Sequence, residues 1–142
     1  AEYSNDDKIS VFALAYPKDV TSNYQVVYRT ADEGLLNFND DAYSFLGTGG
    51  RTSHQGGSAS ANTLDTIGFT FDNGTLNIYG GGAEVVSDVP SNVSSSGITG
   101  NNVEIGSTSK DGYYMDGGIA EVVVCSGIES LSNYQSYHND RV

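Results

Sequence analysis

The chain has 142 residues, a length that allows one ordinary domain and leaves no room for two. Its formal charge of −12 argues against a nucleic-acid backbone or an anionic membrane as the partner, because both are polyanions. Apolar residues make up 37% of the chain, too many for a disordered segment, yet no apolar run approaches the roughly 20 residues of a membrane span. We therefore expect a folded domain with no nucleic-acid ligand and no membrane insertion.

Glycine is abundant, at 18 residues against 2 prolines and no tryptophan, in a chain rich in Ser, Thr, Val and Tyr. This composition favours short strands joined by tight turns. The excess of Asp over Glu agrees, because Asp is typical of turns and Glu of helices. The single cysteine, Cys125, excludes an internal disulfide.

The first predicted strand is a nearly continuous apolar run over residues 8–16, which ends at Pro17. Its length and its β-branched and aromatic content are typical of a strand buried on both faces, and proline stops the ladder because it has no N–H to donate. Three more strands are predicted in the first third of the chain, over residues 24–29, 35–38 and 42–46.

Two hairpin turns are predicted, at residues 39–41 (Asn-Asp-Asp) and at residues 73–74 (Asn-Gly). These residue types accept the positive φ of tight hairpin turns, and Asn-Gly is typical of type I′. Apolar residues alternate on both sides of the second turn and predict four side chains in the core: Phe69, Phe71, Leu76 and Ile78. Between the hairpins, residues 47–62 show no apolar periodicity and predict a long exposed loop.

The C-terminal part predicts two more strands and a helix. Val103 and Ile105 alternate with polar neighbours, which indicates a half-buried strand. Residues 119–125 are apolar on both faces apart from Glu121 and form the last predicted strand. A short helix is predicted to begin at an N-cap Ser132, because Gln135 stands at the capping-box spacing.

Three segments carry a family-typical order and spacing: Thr-Phe-Asp-Asn-Gly-Thr-Leu-Asn-Ile-Tyr at 70–79, Val-Glu-Ile-Gly-Ser at 103–107, and Met-Asp-Gly-Gly-Ile-Ala-Glu-Val-Val-Val at 115–124. They resemble the laminin-G-like domains of the concanavalin A-like lectin/glucanase superfamily. The resemblance implies an all-β fold, an antiparallel jelly-roll β-sandwich with a short C-terminal helix. It also implies one domain over residues 1–142, which we expect to belong to a longer chain or assembly, because the sequence starts at Ala1 without Met.

The chain departs from the family at four positions, where the family has Trp, His, an aromatic residue and Asp: Leu64, Thr66, Met115 and Ala120. The family's first strand would need more than the eight residues that precede the run at 9–16. We therefore expect an upstream segment or a neighbouring subunit to complete the sheet beside that run, because an unpaired strand edge is a site for strand addition.

Catalytic patterns are absent from the sequence. Glucanases of the superfamily use paired carboxylates in a Glu-x-Asp-x-Glu run, which alternation places on one sheet face. No Glu of this chain begins such a run, and Glu121 is followed by Val-Val-Val-Cys. Ser53 and His54 lack a Gly-x-Ser-x-Gly context, and the apolar neighbours of Cys125 predict a buried, inert thiol. We expect no enzymatic activity.

Calcium is the metal that the resemblance implies, because laminin-G-like domains often hold it at the sandwich rim with Asp carboxylates and backbone carbonyls. The candidate ligands are Asp residues in predicted turns: Asp40, Asp41, Asp72, Asp111 and Asp116. No spacing singles out one site, and a solvated turn residue is the alternative for each. Nothing in the sequence requires a cofactor, and Ca²⁺ is the candidate ion that the resemblance leaves open.

Glycan binding normally uses an aromatic face together with amide and carboxylate hydrogen bonds, and without Trp only Tyr and Phe can supply that face. Three tyrosines lie in a loop or on the side of a strand that carries its polar residues, and they are predicted to be exposed rings on which a sugar can stack: Tyr43, Tyr79 and Tyr113. An ordinary surface or half-buried tyrosine is the alternative for each.

The expected function is a non-catalytic recognition or adhesion module that binds a glycan or a protein, as part of an extracellular or virion-surface assembly. This expectation rests on an analogy of fold. The alternative is a purely structural protein that decorates a viral capsid, tail or fibre, with an acidic outer face for solubility and an open sheet edge for docking.

Overall fold

The computed structural model describes residues 8–21, 24–30, 34–47, 53–91, 103–108 and 112–139. These ranges contain, in chain order, the strands β1 (Lys8–Pro17), β2 (Gln25–Thr30), β3 (Leu35–Asn39), β4 (Ala42–Leu46), β5 (Ser53–Gly56), β6 (Asp65–Asp72), β7 (Thr75–Gly80), β8 (Ala83–Asp88), β9 (Val103–Ile105) and β10 (Gly117–Ser126), and the helix α1 (Leu131–Asn139). Across the described ranges, no helix has the length and apolar character needed to cross a bilayer.

The strands form two five-stranded sheets in which every pairing is antiparallel. Sheet A has the strand order β10-β1-β6-β7-β8, and sheet B has the order β5-β4-β3-β2-β9. Their facing sides bury one hydrophobic core, to which β1, β6 and β7 contribute from sheet A and β2, β3 and β4 from sheet B. This arrangement confirms the predicted all-β antiparallel jelly-roll sandwich with a short C-terminal helix.

Strand β1 is buried on both faces, as predicted. Alternate side chains from Ile9 to Ala15 lie in the core between the sheets. Ser10 and Phe12 point the other way, since side chains alternate along a strand, and are covered as well. The Ser10 hydroxyl donates to the carbonyl of Gly127 and accepts from the backbone N–H of Glu129, both at 2.8 Å. The segment that leads into α1 therefore covers the outer side of β1.

Both edges of β1 are paired within the chain, with β10 on one side and β6 on the other. The expectation that an upstream segment or a neighbouring subunit completes the sheet beside β1 is therefore wrong. The last strand of the chain takes that place, with Ile9 opposite Ser126 and Pro17 opposite Gly117. Local sequence cannot show this pairing, because the two strands lie near opposite ends of the chain.

Both predicted hairpin turns are confirmed. Asp40 and Asp41 have φ of 51° and 59°, and Asn73 and Gly74 have φ of 47° and 98°, the positive values that a type I′ turn requires. The four side chains predicted to lie in the core are at most 2% exposed: Phe69, Phe71, Leu76 and Ile78.

The exposed loop predicted over residues 47–62 contains a strand, so this prediction is wrong in part. β5 pairs with β4 at the edge of sheet B, and Ala59 beyond it is buried. An edge strand pairs on one side only and needs no apolar alternation, so its sequence resembles a loop. On β5, His54 Nδ1 lies 2.7 Å from Asp88 Oδ2 of β8, a contact that joins neighbouring edges of the two sheets.

Strand β9 occurs where it was predicted, but its apolar residues are not half-buried. Val103 and Ile105 are 38% and 54% exposed. The middle residue, Glu104, is the more protected one, and its Oε2 lies 3.2 Å from Nη1 of Arg29 on β2. β9 ends the described part of sheet B, where neighbouring strands cover less of each side chain.

Helix α1 begins earlier than predicted, and Ser132 is not its N-cap. The Oγ of Ser130 accepts the backbone N–H of Asn133 at 3.1 Å, which is N-cap geometry. Asn133 Nδ2 also donates to Glu129 Oε2 at 3.1 Å. Ser130 and Ser132 are both possible caps by residue type. The hydrogen bond from the Glu129 N–H to Ser10 Oγ fixes the chain next to Ser130, which is the cap in the structure.

We expect the substitution Phe71→Ala to lower the free energy of unfolding by about 3–5 kcal/mol, because it leaves a cavity in the closed core. Urea denaturation measures this. Leu64→Ala is the matched control, since Leu64 is 54% exposed and its truncation should change stability by about 0.5 kcal/mol or less. Equal losses for the two variants would mean that the core is assigned to the wrong face of β6.

We expect Gly80→Ala to lower the free energy of unfolding by about 1–3 kcal/mol, because a Cβ there would overlap the ring of Tyr43 in the opposite sheet. Gly118→Ala provides the control, since a Cβ at that position has no heavy atom within 4 Å. Denaturant unfolding of both variants tests the close approach of the sheets, and a neutral Gly80→Ala would contradict it.

Candidate functional site

The end of sheet A where β1 stops and β10 starts brings two segments together. Pro17 lies opposite Gly117 in the ladder, and the Lys18 N–H donates to the Asp116 carbonyl at 2.7 Å. A Cβ at Gly117 would overlap the carbonyl oxygen of Tyr16, so the close approach requires glycine. The segment that leaves β1 therefore lies beside the segment that enters β10.

These two segments enclose a cavity of about 310 Å³, which we call the rim cavity. Its volume is at the low end of the ~300–1,000 Å³ that is typical of small-molecule sites. The lining residues come from both segments: Asp19, Tyr24, Gln25, Gly112, Tyr113, Tyr114 and Asp116. Aromatic rings combined with a few convergent polar groups are what a small polar ligand requires.

The tyrosines of the rim cavity are held in defined positions. Tyr24 and Tyr113 meet edge to face, with ring centroids 5.0 Å apart and planes at 79°. Thr108 supports Tyr113, because its Oγ1 accepts the Tyr113 N–H at 3.2 Å and its own N–H donates to the Tyr113 carbonyl at 2.6 Å. Tyr114 pairs with Ser107 in an isolated antiparallel β-bridge, and Tyr114 is 69% exposed. The cavity thus has an aromatic corner, formed by Tyr24 and Tyr113 in contact, and a third ring, that of Tyr114, which is open to solvent.

The polar groups of the rim cavity are also supported. Asp19 Oδ1 accepts from the backbone N–H and from the hydroxyl of Thr21, both at 2.8 Å. Gln25 Oε1 accepts the backbone N–H of Asp116 at 2.8 Å. Lys18 Nζ lies 3.5 Å from Asp116 Oδ1, with the two side chains 61% and 60% exposed. The Asp19 carboxylate, which Thr21 holds, and the more exposed Asp116 carboxylate can accept hydrogen bonds from a ligand rich in hydroxyl groups.

Among the tyrosines predicted as platforms, Tyr113 lies in the rim cavity, but Tyr43 is 3% exposed and lies in the core. The predicted exposure of Tyr43 is therefore wrong. Its place opposite Phe38 in the β3–β4 ladder turns it inward, and its hydroxyl hydrogen-bonds to Oδ2 of Asp65. Burial, followed by the hydrogen bond and charge of Asp65, raises the pKa of Tyr43.

Tyr79 is half-buried and belongs to an aromatic row instead of an open platform. Its ring centroid is 5.5 Å from that of Phe12, and Phe12 in turn stacks on Tyr134 of α1 at 5.2 Å and 14°. The three rings hold α1 against the outer side of sheet A. The helix therefore covers the outer side of sheet A near Tyr79. The alternation of polar and apolar residues in β7 cannot show this, because α1 is distant in the sequence.

A second cavity, of about 300 Å³, lies between α1 and the outer side of sheet A. It is lined by Phe12, Val123, Cys125, Glu129, Asn133, Tyr134 and Tyr137. The thiol of Cys125 is half-buried here and not fully buried as predicted. Burial, with a smaller effect of the Glu129 charge, raises the pKa of Cys125, which disfavours the reactive thiolate.

The predicted calcium ligands lie in different places. Asp72 ends β6 beside the start of β1, whereas Asp116 lies at the other end of β1, about 30 Å away at ~3.3 Å per strand residue. Asp40 and Asp41 occupy the β3–β4 turn and are exposed. Asp111 is outside the described residues. Within the described ranges, no group of three His, Cys, Asp or Glu side chains is arranged to hold a metal ion.

Strand β10 carries one carboxylate, Glu121, which is half-buried and lies opposite Leu14 of β1. The strand therefore lacks the pair of carboxylates on one face that glycoside hydrolysis needs.

Sequence reasoning missed four polar or aromatic residues of the rim cavity: Asp19, Tyr24, Gln25 and Tyr114. A signal was available at Tyr113 and Tyr114, because two adjacent tyrosines after a glycine are unusual in a polar turn. The other residues precede them by about ninety positions in the chain, and only the β1–β10 pairing brings the two groups together.

A comparison with models of known protein families finds no match. The curated proteins give no match either. Solved structures do match, and among them are three that are described as carbohydrate-binding or as complexes with a glycan.

The CBM40 of the Ruminococcus gnavus IT-sialidase, bound to α2,3 sialyllactose, aligns with a TM-score of 0.71 at 15% identity, covering 92% of this chain and 82% of that one. Domain 4 of AbnA, a GH43 extracellular arabinanase from Geobacillus stearothermophilus in complex with arabinotriose, aligns with a TM-score of 0.67 at 16% identity and covers 92% and 66%. A candidate carbohydrate-binding protein from Bacteroides ovatus ATCC 8483 aligns with a TM-score of 0.69 at 16% identity and covers 89% and 39%.

At these identities the similarity establishes the fold, a β-sandwich that carbohydrate-binding domains use. The chain spans 39% of the length of the Bacteroides ovatus protein and 66% of the length of AbnA domain 4. Two of the three neighbours are modules of enzymes whose names refer to a catalytic activity, a sialidase and an arabinanase.

We expect the stability of the protein to fall as the pH rises above about 10, because burial and the nearby Glu121 charge raise the pKa of Tyr134 to about 12. A raised phenol pKa stabilises the folded state fully below the unfolded value of ~10, and that contribution is lost as the pH approaches the folded value. Urea unfolding of the wild type and of Tyr134→Phe between about pH 9 and about pH 11.5 measures the difference. Equal pH slopes for the two proteins would contradict the burial of a neutral phenol.

Proposed function

We propose that the protein is a non-catalytic glycan-binding module and that the rim cavity is its binding site. The observation that carries this proposal is the juxtaposition of Tyr24 and Tyr113 with the carboxylates of Asp19 and Asp116 in one cavity. The fold supports it, because the solved structures with the same sandwich include carbohydrate-binding domains.

The cavity suits a sugar for two physical reasons. An aromatic ring packs against the C–H groups on the less polar side of a sugar ring, and Tyr24, Tyr113 and Tyr114 supply such rings. The hydroxyl groups of the sugar need acceptors, which Asp19 and Asp116 supply at the same cavity. Thr21 holds the Asp19 carboxylate and Thr108 holds the backbone of Tyr113, which lowers the conformational entropy that these two residues lose on binding.

Two finer assignments belong to the same proposal. The laminin-G-like resemblance is kept as the proposed subtype of the sandwich, with residues 1–142 as one domain of a longer chain or assembly. An extracellular location is proposed because glycans bound by such modules are outside the cell, and the arabinanase neighbour is described as extracellular. A virion surface and a protein ligand remain predictions, and a neighbouring subunit remains one at surfaces other than the edge of β1 that β10 pairs.

The structural alternative, a decoration protein of a capsid, tail or fibre, remains a prediction. One ground for it, an open edge beside β1, is removed because β10 pairs with that edge. Calcium binding also remains a prediction. Of its candidate ligands, Asp116 is the one that the described structure brings to the rim cavity, and a calcium ion there would act through that carboxylate.

We expect Tyr113→Ala to weaken glycan binding at least tenfold, because the substitution removes one wall of the aromatic corner. The measurement is a screen of the protein on an oligosaccharide array, followed by isothermal titration of each hit. Tyr137→Ala is the matched control, since Tyr137 is 45% exposed on α1 and lines the other cavity.

Two results would contradict the proposal. Hits that bind Tyr113→Ala as tightly as they bind the wild type would place the glycan elsewhere. An array without any hit, from a chain shown by circular dichroism to be folded, would remove glycan binding itself.

A further inference from the structure

We infer that the cavity between α1 and the outer side of sheet A is a second binding site, which takes a small aromatic molecule with a hydrogen-bond donor. We call it the helix cavity, because β1 and β10 line one side of it and α1, with the residue Glu129 before it, lines the other. Val123 in this cavity is six residues from Gly117 beside the rim cavity, about 20 Å along β10 at ~3.3 Å per residue. The inference therefore does not depend on the proposed glycan binding.

The helix cavity arises from a difference in side-chain size between two neighbouring strands. Phe12 of β1 stacks on Tyr134 of α1, with ring centroids 5.2 Å apart and planes at 14°. The residue opposite Phe12 on β10 is Val123, which is shorter, and Cys125 follows on the same face. Because the stacked rings hold the helix away from the sheet, the shorter side chains of β10 leave a space between themselves and α1.

The inner part of the helix cavity is apolar. Phe12 and Tyr134 are 1% and 5% exposed, and Val123 and Cys125 beside them are half-buried. A ring that packs against these side chains removes apolar surface of both partners from water. Aromatic rings also attract one another in offset and edge-to-face arrangements, beyond the effect of the area that they bury. The inner part therefore favours an aromatic ring over an aliphatic one.

The side of the helix cavity that opens to solvent carries a polar group. Asn133 and Tyr137 are exposed there, and Nδ2 of Asn133 donates to Oε2 of the half-buried Glu129 at 3.1 Å. Since a carboxylate has about four acceptor positions, Glu129 can accept a further hydrogen bond from a ligand. A ligand that fits both parts has an aromatic body and a hydrogen-bond donor at one end.

The volume of the helix cavity limits the size of its ligand. An apolar cavity of about 150 Å³ is enough to hold benzene. The helix cavity has about 300 Å³, which is the lower end of the range that is typical of small-molecule sites. One aromatic ring or two fused rings therefore match it, and indole, which has two fused rings and one N–H donor, is a suitable probe.

The test uses the one cysteine of the chain as a reporter, because Cys125 lines the helix cavity. Alkylation of the full chain by iodoacetamide is followed by mass spectrometry at about pH 9, since the thiolate is the reactive form. Indole bound beside the thiol should block the reagent. We expect the alkylation rate to fall about tenfold when indole is present at about ten times its Kd, which isothermal titration measures independently.

A pair of probes tests the hydrogen bond to Glu129. 1-Methylindole has the aromatic body of indole but no N–H, so we expect the wild type to bind it several-fold more weakly than indole. In Glu129→Ala the two probes should bind equally, because the acceptor is removed. Glu84→Ala is the matched control, since Glu84 is an exposed glutamate of β8 outside the cavity lining and its loss should leave the difference between the probes unchanged.

Two substitutions locate the bound indole. Val123→Phe fills the helix cavity and Tyr137→Ala removes its outer wall, and we expect each to weaken indole binding by about tenfold or more. Circular dichroism shows whether each variant is folded, and Tyr137→Ala keeps the test valid if the larger side chain at position 123 prevents folding. Tyr113→Ala is the matched control, since Tyr113 belongs to the rim cavity and its truncation should leave indole binding unchanged.

Four results would overturn the inference. Indole that neither binds the folded wild type nor slows its alkylation removes the site. Indole that binds both cavity variants as tightly as the wild type lies elsewhere on the protein. Equal binding of indole and 1-methylindole to the wild type removes the hydrogen-bond donor from the ligand class. Alkylation that slows as the protein concentration rises without a probe, together with a dimer in size-exclusion chromatography, would make a second copy of the chain the occupant.

Discussion

The structure depends on the burial of β1 on both faces and its pairing on both edges. One face of β1 fills the core between the sheets, and the other carries Ser10 and Phe12, which hold the segment before α1 and the helix itself. Because β1 is paired on both edges, its backbone N–H and C=O groups have hydrogen-bond partners. Each such group that was buried without a partner would cost roughly 1–3 kcal/mol. The remaining elements are arranged around this strand.

The rim cavity follows from that constraint. β10 must reach the free edge of β1 to close the sheet, and the pairing of Pro17 with Gly117 places the segments next to both strands side by side. Tyr24 and Tyr113 come into edge-to-face contact as a result. The contact between these two rings and the hydrogen bonds of Thr108 to Tyr113 can keep them in place when the ligand is absent, which reduces the entropy lost on binding.

The loops at the rim cavity, and not the strands of the sandwich, supply most of its polar and aromatic groups. The chain is strongly acidic. Of its described bases, Lys18 lies beside the rim cavity and pairs with Asp116, whereas Lys8 and Arg29 pair elsewhere with Asp72 and Glu104. The same sandwich can therefore present different sugar-binding chemistry in different proteins, because the fold fixes where loops meet and the loop residues set the charge. Similarity of fold to a sialyllactose-binding domain does not carry the ligand with it.

The sequence by itself determined the features that depend on neighbouring residues: the hairpin turns at Asp40–Asp41 and Asn73–Gly74, the inward phase of Phe69 and Phe71, and the all-β class. These follow from backbone preferences and alternation within a few residues. Only the tertiary structure decided that Tyr43 is buried, that Tyr79 is covered by α1, and that Tyr113 meets Tyr24. Those outcomes depend on which strand packs against which, and the free energy that selects the partner comes from the whole buried surface, which no local pattern contains.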